Sequence, residues 1–103
     1  MAAGPTQRTL KLLKDEGWTA AVVEKWNPAV RIRHDLFGFI DVLAIRGTET
    51  LAVQATSGSN VSSRIHKIEE AEHLDAVRDA GWRIEVWGWR KNAAGRWQCR
   101  RVD

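Results

Sequence analysis

The feature that most constrains this chain is a pair of apolar runs joined by a glycine turn, with one acid set into the first run. Phe39 to Ile45 (FIDVLAI) is apolar except for Asp41, and Leu51 to Thr56 (LAVQAT) returns after Gly47-Thr48. A two-residue loop that begins with glycine is a favoured hairpin connection, because its twist matches that of the strands it joins. With Gly47-Thr48 as the turn, Arg46 faces Glu49, Leu43 faces Ala52 and Asp41 faces Gln54. Side chains alternate along a strand, so Thr56 shares the Asp41–Gln54 face one step further on. Ile40, Val42 and Ala44 then oppose Leu51, Val53 and Ala55 on the other face. Directly opposed Cβ atoms stand about 5 Å apart. A carboxylate, an amide and a hydroxyl therefore converge in an otherwise apolar hairpin, and burying them is costly unless they bind something. Oxygen ligands of this kind suit Mg²⁺.

The rest of the chain supplies elements to cover that hairpin. Gly4-Pro5-Thr6 opens a helix carrying Leu10, Leu12 and Leu13, which Gly17 stops. Trp18 to Trp26 is rich in β-branched and aromatic residues and reads as one strand, broken by Asn27-Pro28. A polar, basic stretch from Arg31 to Asp35 follows. Ser57 to Asn60 forms a loop with capping residues, after which Val61, Ile65, Ile68, Ala71, Leu74 and Val77 predict one amphipathic helix ending near Gly81. Arg83 to Arg90 alternates as a strand, and a turn at Asn92 to Gly95 leads to a last strand, Arg96 to Val102. The predicted order is α-β-β-β-α-β-β. Strands apolar on both faces call for helices on both sides, hence a single α/β domain over residues 1–103 with a mixed central sheet flanked by helices.

Composition excludes some functions and favours others. Cys99 is the only cysteine, so no intramolecular disulfide and no Cys-based zinc site can form. No apolar run approaches the ~20 residues of a membrane span, and the N-terminus lacks a signal-peptide layout. The expectation is a cytoplasmic protein without membrane contact, in the host cytoplasm if the chain is viral. The net charge is only +3, but it is unevenly spread. Beyond Trp82, Arg83, Arg90, Lys91, Arg96, Arg100 and Arg101 face only Glu85 and Asp103, and Arg8, Lys11 and Lys14 add charge at the other end. Basic ends suit a polyanionic partner such as DNA or RNA. Six tryptophans without a tyrosine serve sheet packing by default, or base stacking beside Arg90, Lys91 and Arg96.

Gly38-Phe39-Ile40-Asp41-Val42-Leu43-Ala44 followed by Leu51-Ala52-Val53-Gln54-Ala55-Thr56 resembles the heart of the PD-(D/E)XK nucleases. It is particularly similar to archaeal Holliday-junction resolvases and small phage nucleases. The resemblance is specific over residues 36 to 60 and extends to the order helix, three strands, helix, strand, which implies a restriction-endonuclease-like core. It implies a metal-dependent endonuclease that hydrolyses DNA phosphodiester bonds, with structure-directed cutting and a homodimer as further expectations. Mg²⁺ would be the cofactor and Mn²⁺ its substitute. Asp41 would be the invariant metal ligand, with Gln54 where glutamate is usual. Thr56 stands in the place of the catalytic lysine and cannot carry its charge. Lys67, or else Arg64, on the following helix would substitute for it. Asp35 would add a second carboxylate to the metal, with Glu24 a less favoured source, and Gln7 stands where relatives often place an acid.

The expected nucleic-acid contacts are Arg31, Arg33 and His34 before the hairpin, Ser57 and Asn60 after it, and Arg90, Lys91 and Arg96 near the last turn. Two rival readings remain beside the nuclease. One is a nucleic-acid-binding module that lost catalysis with its lysine; the other is a protein-interaction domain on the same scaffold, using the acidic helix face.

Overall fold

The central hairpin forms in the register that its turn dictates. In the computed structural model, which describes residues 4–103, β4 (Val42–Arg46) and β5 (Glu49–Ser57) pair antiparallel, with Arg46 against Glu49 and Leu43 against Ala52. Gly47 turns the chain at φ +60°, a left-handed conformation open to glycine because it has no Cβ. β5 becomes the middle of five strands. β1 (Thr19–Val22) pairs antiparallel with β4, β6 (Arg83–Lys91) runs parallel to β5, and β7 (Trp97–Val102) returns antiparallel along β6. The order is β1-β4-β5-β6-β7, a mixed sheet. A parallel pair needs a crossover. The 3-10 turn Gly58–Asn60, α2 (Val61–Glu69) and α3 (Leu74–Asp79) supply it.

Each face of the sheet has its own core. On one side α1 (Pro5–Asp15) lays Leu13 against Val42, Val53, Trp87 and Trp89. The indole N–H of Trp89 donates to Thr9 Oγ1 at 2.9 Å, which pins α1 to β6. On the other side Ile68, Leu74 and Val77 of α2 and α3 pack with Phe39, Ile40, Ala52 and Val86. Gly88 sets how close α2 comes: a Cβ there would stand 2.4 Å from Val61 Cγ2, so only glycine lets the helix start directly on β6. The expected α/β class, mixed sheet and flanking helices are all present. No helix is long and apolar enough to cross a membrane among the described residues.

Several elements depart from the expected order. The segment Trp18–Trp26 is not one strand: β1 stops at Val22, and β2 (Lys25–Asn27) pairs instead with β3 (Ile32–His34) in a separate two-stranded arm. Asn27-Pro28 does end a strand, as expected, but that strand is β2, and the same residues open its hairpin loop, with Asn27 Oδ1 accepting from the Ala29 N–H at 3.0 Å. The long helix after Asn60 is two helices. Its apolar residues from Ile65 to Val77 recur every third position, and each such step turns a side chain back by about 60° on an α-helix. A straight helix could not keep them on one face, and the break between Glu69 and Leu74 resets the direction.

The third departure shapes the site. Phe39 and Ile40 lie in a tight turn closed by two hydrogen bonds between Leu36 and Ile40, with Phe37 and Gly38 at positive φ. β4 therefore begins only at Val42. Ile40 packs in the α2 core while Val42 packs in the α1 core, so the two do not share a face as the alternation had implied.

Candidate metal centre

Asp41 sits at the junction of that turn and β4, where its backbone is held from both sides. Its N–H donates to the Val53 carbonyl at 2.9 Å, and its carbonyl accepts from the Val23 N–H at 2.8 Å. The side chain is 3% exposed. Oδ2 accepts from Gln54 Nε2 at 2.5 Å and from the Ala55 N–H at 2.9 Å. The Asp41–Gln54 pairing expected from the turn is therefore a direct hydrogen bond. Gln54 is buried as well, and its Oε1 has no hydrogen-bond partner among the described residues. An unpartnered buried carbonyl oxygen costs about 1–3 kcal/mol, a cost that a water or a cation at this atom would relieve.

Two further acids meet Asp41. Carboxylate oxygens of Glu24, Asp35 and Asp41 all lie within 4.8 Å of one another. Burial, the shared hydrogen bond with Asp35 and the negative charge of Asp35 push the Asp41 carboxyl up to about 8, with a smaller contribution from Glu24. Cations reach the outer two acids only: Lys67 Nζ lies 2.8 Å from Asp35 Oδ2, and Arg33 lies 3.9 Å from Glu24. Among the described residues Asp41 has no cation of its own.

These groups line one cleft of about 480 Å³, together with Pro5, Thr6, Thr56, Ser57 and Arg64. Asp41, Gln54, Thr56, Asp35, Lys67 and Arg64, all singled out from the sequence, are thus brought together. Glu24 was undervalued there. It is the sole acid between Trp18 and His34, a signal available in the sequence, but its arrival at the site depends on how β1 runs beside β4. Gln7 is not among the residues lining the cleft.

The expected nucleic-acid contacts divide. Arg33 and Ser57 line the cleft, while Arg31 and His34 belong to the β2–β3 arm beside it. Asn60 donates to Ser57 Oγ at 3.0 Å and shapes the loop. Arg90 lines a neighbouring groove with Gly58, Gln98 and Arg100. Lys91 lies over the Trp97 ring, which Arg8 covers more closely at 3.6 Å. Arg96 is at the far turn, where its N–H bonds Asn92. Two of the C-terminal cations are already engaged, Arg83 on Glu85 and Arg101 on Glu16. Burial raises the Cys99 thiol to about 11, which leaves it protonated and unsuited to nucleophilic chemistry.

The donor set is three mutually close carboxylates and one neutral amide oxygen lining the same cleft, all hard oxygen ligands. That set fits a divalent cation such as Mg²⁺ or Mn²⁺. No family model matches the chain, and neither the curated proteins nor the solved structures give a significant match.

Proposed function

We propose that this chain is a divalent-metal-dependent nuclease of the PD-(D/E)XK type, cutting DNA phosphodiester bonds at the Asp41 cleft. One observation carries the reading: three carboxylates and the unpartnered Gln54 oxygen converge in a cleft whose rim bears Arg33, Arg64 and Lys67. The order of elements lends support. Without the β2–β3 arm, the chain runs helix, three antiparallel strands, helical crossover and parallel strand, as the resemblance requires of a restriction-endonuclease-like core.

Asp41, Asp35, Glu24 and the Oε1 of Gln54 would hold the cation. Bound there, it would polarise a phosphate and lower the pKa of a water for in-line attack. The protein's own groups do the rest. Gln54 Nε2 and the Ala55 N–H fix Asp41 Oδ2, leaving the other oxygen of the carboxylate free to face the acids. Asp41 must give up its proton to ligate, so binding and deprotonation are coupled. Lys67, held by Asp35 at the rim, supplies positive charge where charge develops on phosphate, and Arg64 one turn before it assists. Arg33 and Ser57 hold the backbone. Thr56 can offer a hydroxyl to the nucleic acid but no charge.

Thr56 also favours a second reading, a nucleic-acid-binding module without catalysis. Supercoiled, single-stranded and four-way-junction DNA incubated with Mg²⁺ or Mn²⁺ separates the two, with Asp41→Ala as control. Cutting that needs the metal and is lost in Asp41→Ala supports the nuclease. Cutting that survives the substitution rules out this centre, and salt-sensitive binding without cutting leaves the binding module.

A further inference from the structure

The arm formed by β2 and β3 is exposed at every position of both strands. Trp26 is 56% exposed and Ile32 51%, an unusual degree for large apolar side chains. Around them stand Lys25, Arg31, Arg33 and His34, and the segment from Lys25 to His34 contains no acid. Arg33 reaches back to Glu24, while among the described residues Lys25 and Arg31 form no ion pair. An aromatic ring displayed among unpaired cations is the composition of a surface that binds single-stranded nucleic acid, where bases stack and the backbone is neutralised.

Placement sharpens the point. Both roots of the arm are candidate metal ligands, Glu24 before β2 and Asp35 after β3. Trp26 pairs directly with Arg33, so the two side chains share one face of the arm. Arg33 lines the metal cleft and contacts Glu24. Trp26 thus shares a face of the arm with a residue that lines the cleft, two residues or ~7 Å along the strand from Glu24, without lining the cleft itself. At the tip Arg31 holds a left-handed φ of +53°, which costs a side-chain-bearing residue about 1–2 kcal/mol and places a cation where glycine or asparagine would be easier.

We propose that the β2–β3 arm is a nucleic-acid clamp in which Trp26 stacks on the uncovered face of an unstacked base beside the metal cleft. It selects substrates that offer unstacked bases, such as single strands and branch points, over continuous duplex, whose base faces are already covered. The clamp rests on the nuclease reading for its purpose but not for its binding, which needs no metal.

The test is anisotropy of labelled single-stranded, four-way-junction and blunt-duplex DNA in EDTA, with wild type, Trp26→Ala and Trp26→Phe. Trp26→Ala is expected to weaken single-strand and junction binding by about tenfold, the loss of one stacked base, and duplex binding by no more than about twofold. Trp26→Phe should keep most of the affinity, and both variants should melt like wild type, since the ring lies outside the core. An equal loss on all three DNAs, or none, overturns the clamp. So does a change from dimer to monomer in Trp26→Ala with DNA binding intact, because the ring would then cover a second copy. Single-strand binding that depends on Trp26 in a protein that never cuts would keep the clamp and overturn the nuclease. Metal-dependent cutting indifferent to Trp26 would do the reverse.

Discussion

Asp41 and Glu85 are buried on opposite faces of the same sheet, 3% and 6% exposed. Glu85, on the α1 face, has both oxygens satisfied: Trp87 Nε1 donates to Oε1 at 2.9 Å and Arg83 to Oε2 at 2.8 Å. Arg101 lies over the same Trp87 ring at 4.2 Å and adds positive charge nearby. Asp41, on the α2 face, has neutral donors on one oxygen and two acids for neighbours. A buried carboxylate with a cation and an indole is part of the architecture. One buried against other carboxylates, beside an amide oxygen without a partner among the described residues, keeps its proton to about pH 8 and ionises only at a cost that a bound cation would offset. That contrast, more than the acid cluster by itself, supports a cation at Asp41.

The contrast breaks most visibly in activity. Asp41→Asn keeps the shape and can donate to Asp35, so the fold should remain at least as stable as wild type. Metal-dependent cleavage should fall by on the order of 10³-fold or more, because metal stabilisation of the transition state is worth several kcal/mol. Initial rates on the best DNA substrate, with urea unfolding alongside, check both halves. Next comes Lys67→Ala. One preorganised charge is worth about 10²-fold in rate. Because Lys67 is well exposed, stability should change little, as is usual for surface ion pairs. A rate unchanged by this substitution would move the charge to Arg64, and the Arg64→Ala variant would then show the loss.

How much of this was legible from residues alone depends on how local the cause is. The β4–β5 register, and with it the Asp41–Gln54 hydrogen bond, follows from one turn and from alternation, both contained in about fifteen residues. The approach of Lys67 was readable because α2 starts only a few residues after β5. Glu24 was not, since its place is set by the pairing of β1 with β4 across a long intervening segment. The β2–β3 arm was hidden for a different reason: strands exposed on both faces carry no alternation to read, and Asn27-Pro28 looks alike as a break or a loop. Ile40 was assigned to the wrong face because the turn from Leu36 to Ile40 interrupts an apolar run that gives no sign of its end.

The opposite substitution should spare the chemistry and harm the fold. Glu85→Ala strands the buried Trp87 N–H, and losing a hydrogen bond to a charged partner should cost about 2 kcal/mol, discounted because Arg83 can turn to solvent. Urea midpoints should fall accordingly while cleavage per folded molecule stays the same. A Glu85→Ala protein as stable as wild type would remove the architectural half of the comparison.

The smallest effect is in pH dependence. With the Asp41 carboxyl at about 8 in the folded protein and 3.8 in the unfolded chain, the native state between those values binds a proton that the unfolded state does not. Stability from this group is therefore complete below about pH 4 and is lost as the pH rises through 8. Without metal, the melting temperature should therefore fall steadily from pH 5.5 to 8.5. Asp41→Asn should flatten that slope, whereas Glu85→Ala should lower the whole curve and keep it. Millimolar Mg²⁺ ought to act in the other direction, because ligation needs the carboxylate and a cation bound only to the folded state stabilises it by mass action. The rise in melting temperature with Mg²⁺ should be greater at pH 8.5 than at 5.5, and absent in Asp41→Asn. An equal Mg²⁺ effect in that variant would place the cation elsewhere on the protein, and the two buried acids would then differ in their partners but not in their purpose.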